Sequence, residues 1–429
     1  MARLEKAAGP VLRELFDAAV AAADPRRALL ARMPAPVRGR TVVAGAGKAS
    51  AVMAQSFEAL WPGPLEGLVV TRYGHAVRCD KIEVMEAAHP IPDAAAERAA
   101  RKILELAHSL GEKDQFVFLA SGGGSALLSL PAPGLALADE QAVTRALLAS
   151  GATITEINTV RKHLSRIKGG RLAAAAAPAA VVTLAISDVP GDDPAAIASG
   201  PTVPDPTRFA DARAVLAKYR IEAPPAVEAY LEKAEEETPK PGDPVFARAR
   251  FELVASPRQA LAAAAEAALA LKITPIVLSD RIEGEAREAA RVLAAIALSL
   301  KAGEFKIGAE EVRPPAVLLS GGETTVTMKG GGRGGRNTEF LLALGLALEG
   351  AEGISALACD TDGIDGSGEN AGAMLFPESL ARAAALGAEG KALLADNDSY
   401  RFFAALGDLV VTGPTLTNVN DFRAILVEG

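Results

Sequence analysis

The chain has 429 residues, half of them hydrophobic and 23% charged, with 45 Lys and Arg set against 53 Asp and Glu for a net charge of −8. That length accommodates two domains, and an acidic balance with no long basic stripe argues against a nucleic-acid surface. Two cysteines, Cys79 and Cys359, are too few for a disulfide framework or a cysteine-based zinc site, which favours the cytoplasm. The least polar run, 172–186, contains Pro178 and falls short of the roughly 20 residues a membrane helix needs.

A helical pattern opens the chain and lasts to about Arg32. From Thr41, TVVAGAGKASAVMAQSFEAL predicts an apolar strand, a glycine turn and an amphipathic helix with Lys48 at its start. Ala49 intervenes where a Walker loop needs Ser or Thr after the lysine. Gly45 and Gly47 instead suggest a dinucleotide fingerprint, with Ser50 where a third glycine or alanine is expected. The next strand, GLVVTRYG, ends in Thr71-Arg72 and offers no acidic residue for a ribose.

KIEVMEAAHPIPD reads as a strand and a proline-stiffened loop, followed by a helix. QFVFLASGGGSALLSLP then repeats the theme: a strand ends at Ser121, Gly122, Gly123 and Gly124 follow, and Ser125 stands where a helix can begin. In ITEINTVRKHLSRIKGG, Ile154, Ile157, Val160, Leu164 and Ile167 make an apolar face at helical spacing. Asn158, Arg161, Lys162, Ser165 and Lys168 oppose it. A solvated basic face is the default reading, with ligand contacts at Asn158 and Lys162 the alternative, and Gly169 and Gly170 are expected to end the helix. The strand AVVTLAIS runs into DVPGDDP, where Asp188, Asp192 and Asp193 are either turn residues or candidates for a general base or a magnesium ligand. A charged, proline-rich stretch, KAEEETPKPGDP, marks the expected boundary between domains 1–238 and 239–429.

The second half alternates strands and helices again and closes with strand, polar turn and strand. Within it, SGGETTVTMKGGGRGGRNTE combines a strand exit at Gly321, Gly322 and Glu323 with clustered glycines, Arg333, Arg336 and a helix start near Asn337. Glycine N–H groups, an open helix start and forked arginines suit an anion; a glycine-rich hairpin loop with solvated arginines is the plainer reading. GISALACDTDGIDG places Asp360, Asp362 and Asp365 after a strand. Alternation predicts mostly parallel sheets in both halves, hence two α/β domains. Five turns that gather Gly, Ser and Asp all follow strands, at the edge where open α/β sheets bind ligands. Glycine loops, arginines and aspartates together are the parts of phosphoryl transfer.

Several of these segments, GAGKAS, HPIPD, SGGGSALL, NTVRKHLSRIKGGRLA, ISDVPGDDPAAIASGPTVPDPT, SGGETTV with GGRNTEFLLAL, DTDGIDG and TGPTLTNVNDF, resemble the glycerate 2-kinase family with a leucine-rich C-terminal module, some of whose members are labelled hydroxypyruvate reductases. The resemblance covers nearly the whole chain. It implies ATP-dependent phosphorylation of D-glycerate to 2-phosphoglycerate, with an active site in a cleft between an N-terminal Rossmann-like three-layer domain and a smaller C-terminal α/β domain, and with residues near 410–429 able to pack back on the former. It also implies functional roles for Lys48 and Arg336. On that basis the expected catalytic residues are Lys48, Arg336 and Asp188, and Asp193 and Asp362 are expected to bind Mg²⁺, although base and metal ligand are not separable between Asp188 and Asp193. Substrate and nucleotide contacts are expected at Gly45, Gly47, Ser121 to Ser125, Asn158, Lys162, Gly321, Gly322, Glu323 and Arg333. ATP and Mg²⁺ are the expected cofactors and D-glycerate the small-molecule partner, with no nucleic acid or membrane partner and a monomer or homodimer as the assembly. The rival readings are an NAD(P)H-dependent hydroxypyruvate reductase and a non-catalytic anion- or nucleotide-binding module.

Overall fold

The computed structural model describes residues 7–366 and 368–429; residues 1–6, where the predicted N-terminal helix opens, and Ser367 lie outside the described residues. The chain divides into two compact units, one formed by residues up to Asp24 together with Ser256–Gly429, the other by Pro25–Ala255. Helix α1 (Ala8–Ala22) explains the discontinuous unit. Its apolar stripe, Val11, Leu12, Leu15, Phe16 and Ala19, is buried. It belongs with the later residues, and Phe16 meets Phe422 at a ring-centroid distance of 5.8 Å.

The unit 25–255 is built on six parallel strands: β1 (Thr41–Ala46), β2 (Glu66–Arg72), β3 (Ile82–Ala87), β4 (Gln115–Ala120), β5 (Ala180–Ile186) and β6 (Ala249–Ala255). Their order, β3-β2-β1-β4-β5-β6, is that of a doubly wound sheet. Continuous apolar runs such as TVVAGA and QFVFLA suit strands covered on both faces, and both are buried along their whole length. Helices α2 (Ser50–Leu60), α3 (Ala94–His108), α4 (Leu137–Ala149) and α5 (Ile154–His163) connect or flank the strands. Helix α3 starts where Asp93 accepts from the N–H groups of Ala95 and Ala96, at 3.1 and 3.0 Å. Helix α5 starts with a capping box between Thr153 and Glu156.

The boundary expected at residue 238 moves to 255. FELVAS is strand β6, and its pairing with β5 completes the first sheet. The proline-rich stretch before it is a surface excursion, a feature that composition does not distinguish from a linker.

The unit of residues 7–24 and 256–429 has a six-stranded sheet made of β7 (Thr274–Ser279), β8 (Ala316–Gly322), β9 (Ile354–Asp360), β10 (Gly372–Leu375), β11 (Leu409–Val410) and β12 (Asp421–Val427), ordered β11-β10-β9-β12-β8-β7. Helices α6 (Pro257–Ala270), α7 (Ala286–Lys301) and α8 (Arg336–Leu348) accompany it. The expectation of a mostly parallel sheet fails here. Only β7 and β8 run parallel; every other pairing is antiparallel. Strand β12 lies between β8 and β9 and runs antiparallel to both along seven residues each, and β10 and β11 follow β9 as further antiparallel neighbours. Within the segment 410–429, residues Asp421–Val427 form β12, which is central to this sheet. Its core gathers Leu318, Phe340, Ile354 and Ile425. Among the described residues no helix is long and apolar enough to cross a membrane.

Candidate functional site

In the first unit the register aligns Ala46 of β1 with Val70 of β2 and Ala120 of β4, so the turns after these strands lie side by side at one sheet edge. Between β1 and β4 the strand order reverses direction, which is where open α/β sheets form their ligand crevice. The turn after β1 is closed by the protein itself. The N–H of Gly47 donates to Val70 O (3.1 Å), Lys48 to Gly122 O (2.8 Å) and Ser50 to Gly47 O (3.1 Å). The N–H of Ala49 donates to Ser121 Oγ at 3.0 Å. Ser50 Oγ donates to the carbonyls of Gly47 and Val70. A side chain at Gly47, where φ is +140°, would overlap Ser121, and one at Gly45 would stand 2.6 Å from Leu119 O. Both glycines therefore serve close packing between the strands.

The turn after β4 differs. Gly124 N donates to Ser121 O, but among the described residues the N–H groups of Gly122 and Gly123 donate to no acceptor. Gly123 has φ +79°, and a Cβ there would stand 3.0 Å from His89 Cδ2, 3.1 Å from His89 Nε2 and 3.5 Å from Lys48 Cγ. Lys48 and His89 thus flank a turn with unused backbone donors, an arrangement whose chemistry suits an anion. Ser125 Oγ lies 2.8 Å from Ser199 Oγ, and Ser199 Oγ donates to Asn158 Oδ1 at 3.1 Å. Asn158 is thereby joined to the turn through hydroxyls, with its own Nδ2 donating to Ala196 O. His89 was legible only as part of the HPIPD loop.

The basic face of α5 is not solvated. Asn158, Arg161, Lys162 and Lys168 are all buried, whereas Ile154 on the supposed core face is 42% exposed. Lys162 is paired with buried Asp205, Nζ to Oδ1 3.3 Å. Asp205 also accepts from Thr207 and Thr238. Lys162 therefore belongs to a structural ion pair, a role that helical periodicity cannot reveal because Asp205 lies 43 residues away. Nor do Gly169 and Gly170 end this helix, which stops at His163; Gly170 instead precedes the short helix Arg171–Ala176. Asp188 is half-buried directly beyond β5. Asp193 is exposed, and its Oδ1 accepts from Ala195 N at 3.0 Å.

In the second unit the glycine-rich loop is occupied by its own neighbours. Lys329 and Gly330 donate to Asn397 Oδ1, Gly331 to Asp396 Oδ1 and Arg333 to Asp398 Oδ1. Helix α8 is likewise closed at its start, because Asp365 accepts from Asn337 N (3.0 Å), Thr338 N (2.9 Å) and Thr338 Oγ1 (2.9 Å). Most of the open donors expected of this segment are therefore spent internally. Arg333 is exposed and lies over the Tyr400 ring at 4.1 Å. Gly322, at φ +121°, passes so close to Ile282 that any side chain would overlap it, and Gly321 N and O serve β8 pairing and the Ile282 N–H.

Arg336, the first residue of α8, donates from Nε to Asp421 Oδ1 and from Nη2 to Asp360 Oδ2, both at 2.7 Å, and stands 3.7 Å from Glu323 Oε1. Burial works against its charge, but Asp421, Asp360 and Glu323 outweigh it and hold the guanidinium well above its ordinary pKa. Asp421 is the hub that the sequence did not disclose: it also accepts from Asn337 Nδ2 and from Arg423 Nη2. Asp362 Oδ1 accepts from Ile364 N at 2.9 Å. Asp193 and Asp362 belong to different units, and among the described residues no three His, Cys, Asp or Glu side chains form a metal-holding group.

Residues 11–232 match a family model described as a domain of unknown function, DUF4147, and residues 316–421 match the MOFRL family. A protein of Agrobacterium vitis, provisionally named a hydroxypyruvate reductase, is 56% identical over 97% of this chain and 94% of its own length. The D-glycerate 2-kinase of Thermotoga maritima is 40% identical over 95% of each chain. A crystal structure of glycerate kinase from the same organism superposes with a TM-score of 0.87 at 39% identity, covering 97% of this chain and 99% of that one. By identity along nearly its full length, and by fold, the chain belongs to the glycerate 2-kinase family.

Proposed function

We propose that the protein transfers the γ-phosphoryl group of ATP to the 2-hydroxyl of D-glycerate, giving 2-phospho-D-glycerate and ADP. The bond formed joins the glycerate O2 to phosphorus; the bond broken is that between phosphorus and the β–γ bridging oxygen, and the hydroxyl proton passes to a base. One observation carries this reading over hydride transfer. A dinucleotide site needs free N–H groups in the turn after β1, and those of residues 47–50 all have internal acceptors, whereas the donors left over lie at Gly122 and Gly123 beside Lys48.

Lys48 with those two N–H groups supplies the positive setting for the transferred phosphoryl group. Asp188, directly beyond β5, is assigned as the base, with Asp193 as the alternative. Arg336 is assigned to charge stabilisation, with a planar fork that two carboxylates hold in a fixed orientation. Magnesium enters as part of the MgATP substrate, which brings its own phosphate ligands. The test is a coupled assay with D-glycerate, ATP and Mg²⁺ in which enolase reports product, since enolase consumes 2-phosphoglycerate and not the 3-isomer. A signal that requires all three components supports the proposal. ADP formation without an enolase signal moves the attack to another hydroxyl, and NAD(P)H oxidation by hydroxypyruvate without ADP formation overturns the kinase reading.

A further inference from the structure

Helix α5 carries one cation that the fold does not use. Asn158 and Lys162 are committed to protein partners, but Arg161 between them, only 8% exposed, makes no hydrogen bond or ion pair among the described residues. A guanidinium brings five N–H donors, and those of Arg161 are not among the enclosed unpartnered atoms, so the fork of this otherwise buried side chain stays open to a ligand. Burial depresses its pKa, with the charge of Glu140 acting in the opposite direction. Glu140 is already taken: its Oε1 lies 3.0 Å from Lys168 Nζ, with the side chains 3% and 0% exposed. Two cations face one carboxylate, so the cluster is left with a surplus of one positive charge inside a chain that is acidic overall.

Arg161 follows Asn158 by three residues and so lies on the next turn of the same helix face. Asn158 leads through Ser199 to Ser125, directly after the turn with unused donors. Resting on the kinase reading, we propose that Arg161 receives the carboxylate of the acceptor substrate in a two-pronged contact and thereby sets the preference for a small 2-hydroxy acid over an uncharged polyol. A monoanion cancels the surplus charge, whereas a phosphate dianion would reverse it. The planar fork also matches a carboxylate.

The test compares wild type with Arg161→Met, which keeps the bulk and removes the charge, and with Arg161→Lys, which keeps the charge and removes the fork. Initial rates are measured with D-glycerate and with glycerol at saturating MgATP, and thermal melting and D-glycerate calorimetry are run on the same preparations. Arg161→Met should raise the KM for D-glycerate roughly a hundredfold and erase most of the preference over glycerol, with the ATP KM changed less than about twofold. Its melting temperature should not fall, because no protein partner loses a bond, and Arg161→Lys should be intermediate. Should Arg161→Met fail to fold, the lysine variant carries the same comparison. An unchanged glycerate KM, or an effect confined to ATP, overturns the inference while leaving the kinase reading intact. A wild type without glycerate-dependent turnover, whose glycerate binding is still lost in Arg161→Met, sinks the kinase reading alone.

Discussion

Lys162→Met should damage stability and spare substrate affinity, in contrast with its neighbour Arg161. The change removes the cation that faces Asp205 at 3.3 Å in a pair whose side chains are 6% and 0% exposed. Losing one partner of a buried pair costs about 3–5 kcal/mol. The bonds that Asp205 keeps from Thr207 N, Thr207 Oγ1 and Thr238 Oγ1 argue for the lower end, ~3 kcal/mol. For a unit the size of residues 25–255 that corresponds to a fall of about 6–12 °C in melting temperature. Circular dichroism melts at pH 7 read it directly, alongside KM values for D-glycerate and ATP. A second change, Asp205→Asn, should recover part of the loss, since it removes the unpaired charge while keeping an oxygen for Thr207. Burial pushes the Asp205 carboxyl up, but Lys162, Thr207 and His163 together hold it below its ordinary value. The stabilisation is therefore present above the unfolded carboxyl pKa of about 3.9 and is lost as the pH falls through the lower native value, so variant and wild type should converge in acid. A Lys162→Met protein that melts with the wild type at pH 7 but binds glycerate weakly would refute the structural assignment.

Gly123→Ala places a methyl at φ +79° and 3.0 Å from His89, so turnover should drop steeply while the melt shifts by only about 1–2 kcal/mol; unchanged ADP release would remove this turn from the site. Asp365→Ala strips the acceptor from Asn337 N, Thr338 N and Thr338 Oγ1 in a buried cap and should cost at least ~2 kcal/mol in urea unfolding, with a null result implying that another acceptor takes over. Arg336→Ala removes the guanidinium that donates to Asp360 and Asp421, leaving Asp421 with Arg423 alone. It should both lower the melting temperature and cut kcat by about three orders of magnitude, and near-normal single-turnover rates would end its assigned role.

The first sheet could be read from sequence because its strands are buried on both faces and separated by helical patterns: TVVAGA and QFVFLA declare themselves, and so do the turns that follow them. The second sheet could not. Alternation shows that strands and helices take turns but says neither where the last strand inserts, which is between β8 and β9 and against both, nor that β9, β10 and β11 pair antiparallel. Within the candidate site, clustered glycines were visible, but what their N–H groups already bond to was not. That is why GGGRGG, tied to Asp396–Asp398, looked as inviting as SGGG, which retains open donors at Gly122 and Gly123. Charged residues misled for the same reason. Lys162 and Arg161 are adjacent and chemically alike, and only the distant Asp205 separates a committed cation from an uncommitted one.

Strand β12 also fixes when its sheet can close. As the chain leaves the ribosome, residues 25–255 are complete and able to fold as a unit while α1 waits for α6 and for the strand that carries Phe422. Until Asp421 to Val427 emerge, β7 and β8 form one fragment and β9 to β11 another, each with an open hydrogen-bonding edge where its neighbour belongs. The same strand brings Asp421, without which Arg336 and Arg423 lack their shared counter-ion. A chain that lacks β12 thus displays two open edges and misplaced charge, so one seven-residue strand joins the sheet and neutralises its arginines together.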